Sequence, residues 1–156
     1  MNEGLLMLSL EAYLARQSRH ADTTNTVFRV LLSLIFIVGG LGHFGQTGQM
    51  LARINESPWA GLVRQIGDPT MLLWLSGGVF IVCGFGLALG AMTRLSTLLL
   101  FVTLIPVTIS IHVAPGHVGP FLKNVAILGG LIHFFVNGPG AHALINETAT
   151  SRDGRA

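Results

Sequence analysis

Four long stretches of this 156-residue chain carry no formal charge. They are the 23 residues between Arg29 and Arg53, the 25 between Asp68 and Arg94, the 28 between Arg94 and Lys123, and the 23 between Lys123 and Glu147. A helix crossing a hydrocarbon layer roughly 30 Å thick needs about 20 largely apolar residues, so each stretch has room for one crossing. Asp, Glu, Lys and Arg make up only 10% of the chain, against about 25% in a soluble domain, which leaves too few charges to cover a water-facing surface. That excludes a soluble enzyme and a disordered chain. The apolar runs are continuous rather than alternating, which excludes a transmembrane β-barrel as well. The expected fold is an all-α, integral membrane four-helix bundle with the lipid bilayer as its surroundings.

The crossings divide the chain into an N-terminal segment (1–26), a membrane domain (27–140) and a polar C-terminal tail (141–156). In the first segment Leu6, Leu10 and Leu14 follow i, i+4, i+8 spacing, which predicts a short interfacial helix. Glu3 precedes this stretch and Glu11 interrupts it, so it lacks the basic n-region and the apolar core of a signal peptide. The first crossing is expected from Val27 to Gln46, after the possible N-caps Asp22 to Asn25. The second begins at Asp68-Pro69, a capping acid followed by proline at the first helical position, and runs to Met92. The third runs from Leu95 to Val113 with Pro106 near its middle, and the fourth from Pro120 to the helix-breaking Gly138-Pro139-Gly140. The short turn at 90–94 makes the second and third crossings antiparallel neighbours. With the N-terminus inside, Arg16, Arg19, Arg29, Arg94, Arg152 and Arg155 fall on the inner side and Arg53, Arg64 and Lys123 on the outer side. This asymmetry places both termini in the cytoplasm. The net charge of +2 is scattered and offers no nucleic-acid face.

The outer connection from Gly45 to Gly67 is not simply polar. Met50, Leu51, Ile54, Trp59, Leu62, Val63 and Ile66 recur at helical spacing among Arg53, Glu56 and Arg64, which predicts first a solvated amphipathic linker, and otherwise a segment in the interface or a lid over the helix ends. The lone cysteine, Cys83, rules out an internal disulfide and reads as a small packing residue. Gly86 and Gly90 form a Gly-x-x-x-Gly pair suited to close helix approach.

Ionisable groups inside a membrane span are costly and are functional candidates by default. At about 1.5 Å per residue, His43 lies roughly 24 Å along the first crossing and His112 roughly 26 Å along the third, both near the outer surface. The fourth helix runs inward, so Lys123 and Asn124 sit in its first turn at that same level, with His117 in the adjoining loop. Two stripes of polar and small residues accompany them. One is Arg29, Ser33, Phe36, Gly40 and His43; the other is Lys123, Ala126, Gly130, His133 and Asn137, and each is expected to face other helices. His133 lies deeper and reads as a packing histidine bonded to a neighbouring helix. Gly39 to Phe44 and Gly129 to Phe134 share a Gly-Gly-Leu-x-His-Phe pattern, but their helices run in opposite senses.

Facing histidines could ligate a haem iron or a metal, hydrogen-bond the carbonyls of a quinone with Lys123 balancing negative charge, or relay protons. They could also simply donate to backbone carbonyls. Of these, quinone is the leading cofactor expectation, haem the lesser one, and no metal ligand set is assigned.

The run Arg29 to Phe44, ending Phe-Ile-Val-Gly-Gly-Leu-Gly-His-Phe, resembles the first helix of the DoxX-like membrane proteins. So do Gly84 to Gly90 followed by Thr93-Arg94, the His112 that closes the third helix, and Phe121-Leu122-Lys123-Asn124 leading into Leu128-Gly129-Gly130. The resemblance implies a bacterial inner-membrane protein. Some relatives are subunits of a thiosulfate:quinone oxidoreductase and others belong to oxidative-stress complexes. Its positions carry over to His43, His112, Lys123 and Asn124 as a cofactor-binding set. The leading expectation is therefore a redox-associated membrane subunit working with partner subunits, with homo-oligomerisation open. The other readings are a non-catalytic accessory or assembly protein and, less favoured, a small-solute carrier.

Overall fold

The computed structural model describes residues 21–112, 118–140 and 142–144. The N-terminal interfacial helix, His20, His117 and the tail beyond residue 144 lie outside the described residues. Among the described residues there are six helices: α1 (Ala21–Gly45), α2 (Thr47–Glu56), α3 (Ala60–Ile66), α4 (Pro69–Leu89), α5 (Thr93–His112) and α6 (Val118–Asn137). α1, α4, α5 and α6 are long and apolar enough to cross a membrane, and the large side chains on their outer surfaces, such as Leu31, Val38, Val82 and Val136, are exposed as lipid contact requires. The chain is a multi-pass membrane protein.

The expected ends hold with one difference. Asp68 caps α4, accepting from the Met71 amide at 2.9 Å, with Pro69 at the first helical position. At the other end of α4, Gly90 takes a left-handed φ of 70° while its amide and that of Ala91 bond to Leu87 and Gly86, a turn that favours glycine. α1, however, starts at Ala21 rather than near Val27. Asp22 to Asn25 are helical instead of capping: Thr26 donates its hydroxyl to the Asp22 carbonyl four residues back, and Asn25 is used against α6. α5 runs unbroken through Pro106, which cannot donate to the Val102 carbonyl.

α1 packs chiefly against α4, α4 against α5 and α5 against α6. Leu87, Leu100, Leu131 and Phe134 are wholly enclosed between them, and Cys83 packs in the same core. The α1–α4 crossing depends on glycine, at positions other than the expected pair. A Cβ on Gly40 would stand 2.7 Å from the Gly77 carbonyl oxygen, one on Gly77 would stand 2.8 Å from the His43 Cβ, and one on Gly84 would stand 2.9 Å from Ile37. Gly86 instead meets Ser96 across the α4–α5 turn.

The stripe on α1 is buried as expected at Arg29, Ser33, Phe36, Gly40 and His43. The one on α6 is not. Its buried residues are Asn124, Ile127, Gly130, Leu131 and Phe134, while Lys123, Ala126, His133 and Asn137 are exposed. The reason is that α6 packs chiefly against α5. It touches α1 at Gly130, where a Cβ would stand 3.1 Å from Leu32 and 3.2 Å from Phe28.

Candidate functional site

A recess of about 210 Å³ lies under α2, lined by residues of α1, α2 and α6 among others. α1 supplies His43 and the bare backbone of Gly39, α2 supplies Arg53, and α6 supplies Lys123 and Asn124. Three of the four residues chosen by depth thus line one cavity. The fourth, His112, closes α5, and its side chain lies outside the described part of the structure; the preceding residue, Ile111, lines the recess. No Asp or Glu is among the described lining residues, and Arg53 and Lys123 give the recess a cationic character.

His43 is only 4% exposed. Its Nδ1 lies 3.1 Å from the Leu73 carbonyl oxygen and 2.9 Å from the Ser76 Oγ, and the Ser76 hydroxyl donates to the same carbonyl at 2.8 Å. A carbonyl only accepts, so Leu73 holds the ring proton on Nδ1 and leaves Nε2 as the acceptor. Nε2 has no protein hydrogen-bond partner among the described residues. The ring face rests on Phe80, with centroids 5.3 Å apart. Asn124 is also buried. Its Nδ2 donates to the Thr108 Oγ1 at 2.9 Å, and the Thr108 hydroxyl donates to the Leu104 carbonyl at 2.7 Å. Both polar side chains are therefore locked from behind by a neighbouring helix, which is what holding a ligand in one geometry requires.

The connection between α1 and α4, expected first as a solvated amphipathic linker and otherwise as an interfacial segment or a lid, covers the recess in part. Ile54 of α2 is buried while Arg53 and Glu56 are exposed, and α3 is tied to α2 through Arg64, whose Nη2 donates to the Asn55 Oδ1 at 2.8 Å. Sequence reasoning assigned Arg53 to this cover and missed its place at the recess. The available signal was its position one residue from the apolar Ile54 that turns inward.

A second polar cluster, also missed as such, lies at the opposite end. Arg29 is 2% exposed, and its Nη1 and Nη2 donate to the Pro139 and His142 carbonyls at 2.6 Å each. The Leu144 amide donates to the Leu89 carbonyl at 3.1 Å, so the residues after α6 are fastened to both α1 and α4. Close by, the His133 Nε2 stands 3.3 Å from the Asn25 Oδ1, the interhelical partner expected for it.

The DoxX family model matches residues 24–113. The match includes His43, Arg53 and His112 and ends before Lys123 and Asn124. No curated protein and no solved structure matches the chain.

Proposed function

This chain belongs to the DoxX family and carries, among its described residues, four helices able to cross a membrane, and from that premise we propose that it is a redox-associated membrane subunit binding a quinone, or a similar ring, in the recess. The observation that carries this reading is the convergence of His43, whose Nε2 has no partner among the described residues, with two cations on one small cavity whose described lining residues include no carboxylate. A hydroquinone hydroxyl would donate to Nε2. Arg53 and Lys123 would offset negative charge on the ring oxygens, and Asn124 would orient the ring. A bound quinone supplies two-electron, two-proton chemistry; the chain's own part is to hold the ring and to take or return a proton at His43. Electrons would come from partner subunits. The Lys/Arg asymmetry supports an orientation with both termini cytoplasmic and the recess toward the outer face, in the bacterial inner membrane that the DoxX resemblance implies.

The second reading, a non-catalytic accessory protein, is favoured by the bonds that tie His43 of α1 to Leu73 and Ser76 of α4. Thermal melting of the purified protein with and without a quinone analogue separates the two. Under the quinone reading the wild type melts higher with the analogue, and His43→Ala abolishes that shift as well as lowering the melting point. Under the accessory reading His43→Ala lowers the melting point while the wild type shows no analogue-dependent shift.

A further inference from the structure

A cavity separate from the recess lies between α4 and α5, roofed by Ile54 of α2 and by Val63 and Ile66 of α3. Its volume is about 490 Å³, within the range of about 300–1,000 Å³ typical of ligand pockets. Leu75 and Val102 in its lining are 67% and 58% exposed, so it opens on the surface that faces lipid. The lining is apolar except for the hydroxyls of Ser76, Thr103 and Ser110. Two of these are used: Ser76 donates to the Leu73 carbonyl at 2.8 Å and Ser110 to the Pro106 carbonyl, the local bond that such hydroxyls make in a helix. The Thr103 hydroxyl has no hydrogen-bond partner among the described residues. Next to it, Pro106 has no N–H to offer the Val102 carbonyl, and no described side chain donates to that carbonyl. A free donor and an acceptor without its helical partner therefore stand on consecutive residues of one wall.

Their depth decides what can meet them. α5 spans Thr93–His112, so Thr103 lies about 15 Å from one end of a helix about 30 Å long, at the middle of the hydrocarbon layer. The bilayer offers no water at that level, and a polar group left unmatched there is costly. A phospholipid tail entering the cavity carries nothing to match it. A hydroxyl, in contrast, accepts from Thr103 through its oxygen and donates to the Val102 carbonyl through its proton, so one group on a ligand satisfies both.

We propose that this cavity is a binding site for a compact, neutral, lipophilic alcohol, which enters from the bilayer and seats its hydroxyl between Thr103 and the Val102 carbonyl. The site is independent of what the recess binds. A ketone of the same skeleton accepts but cannot donate, so it keeps only the bond from Thr103, and the parent hydrocarbon keeps neither.

Photolabelling of the full-length protein in detergent tests this. The label is a cyclic terpene alcohol bearing a diazirine, with the labelled residues mapped by mass spectrometry. Three unlabelled molecules of one skeleton, the alcohol, the ketone and the hydrocarbon, compete at matched concentrations in the micelle. The expected result is labelling concentrated on the cavity residues of α4 and α5. The alcohol should displace the label at about fivefold lower concentration than the ketone, and the ketone at about fivefold lower than the hydrocarbon, one ordinary hydrogen bond at each step. Thr103→Val removes the hydroxyl at nearly the same shape and should bring the ketone down to the level of the hydrocarbon. Val79 is a half-buried wall residue of α4, so Val79→Phe fills the cavity and should abolish the labelling. Equal displacement by alcohol and hydrocarbon in the wild type would overturn the proposal, as would an unchanged order of potency in Thr103→Val. Labelling spread over the lipid-facing sides of the membrane helices, or surviving in Val79→Phe, would overturn it as well.

Discussion

Replacing Gly40 with valine is expected to lower the melting temperature of the purified protein by roughly 10 °C, while the same replacement at Gly39 leaves it nearly unchanged. The two residues are neighbours on α1 and differ only in what a side chain would meet. At Gly40 a Cβ alone would stand 2.7 Å from the Gly77 carbonyl oxygen and 2.8 Å from Ile81, and one of these is backbone, which cannot rotate away. At Gly39 nothing lies within 4 Å. Overpacking at a rigid contact costs about 1–3 kcal/mol and occasionally more, and the branches of valine put Gly40 at the upper end. Since α1 and α4 carry His43 and its partners Leu73 and Ser76, separating them also disrupts the recess. Equal melting points for the two variants would mean that the helices are not in contact at glycine.

The second large effect is expected at Arg29. Its guanidinium is buried, and its two arms hold two carbonyls from the segment after α6. Arg29→Ala leaves both acceptors unpaired, at about 1–3 kcal/mol each. The variant should melt well below the wild type and should be cut by protease after α6 at concentrations that spare the wild type. Arg29→Lys keeps the charge but has one donor group on a flexible stem in place of a two-armed fork, so it should fall between them. An Arg29→Ala variant with wild-type melting and protease resistance would show that the clamp does not fasten the segment.

Much of this was legible in the sequence, for identifiable reasons. Charge-free spans report the cost of placing ions in hydrocarbon, which depends on composition alone, so the four crossings could be read directly. Depth follows from a fixed rise per residue, and that was enough to bring His43, Lys123 and Asn124 to one level. Rotation about the helix axis was harder. On α1 the polar and small stripe is the buried face. On α6 the same rule selected the buried Gly130 but also Lys123, Ala126, His133 and Asn137, which are exposed, because α6 packs chiefly against α5 and buries Asn124, Ile127, Leu131 and Phe134 instead. Arg29 was visible as a charge on a buried stripe, but its partners are carbonyls more than 100 residues away, and no local pattern announces them. Glycine spacing told part of the packing. Gly86 and Gly90 do allow close approach, to Ser96 of α5 and to Arg29 of α1, whereas the α1–α4 crossing falls to Gly40, Gly77 and Gly84, whose role depends on the neighbour they meet.

The most direct test of the quinone site uses the open position beside His43. Gly39 lines the recess and has free space where its side chain would be, so Gly39→Leu fills the cavity without a clash against protein. Titrating a tailless quinone analogue into wild type and variant, with melting temperature recorded on the same samples, should show binding by the wild type. The variant should bind at least about tenfold more weakly at an undiminished melting temperature. Equal affinity of the two proteins for the analogue would contradict the account, because the ring would then be bound somewhere other than the recess formed by His43, Arg53, Lys123 and Asn124.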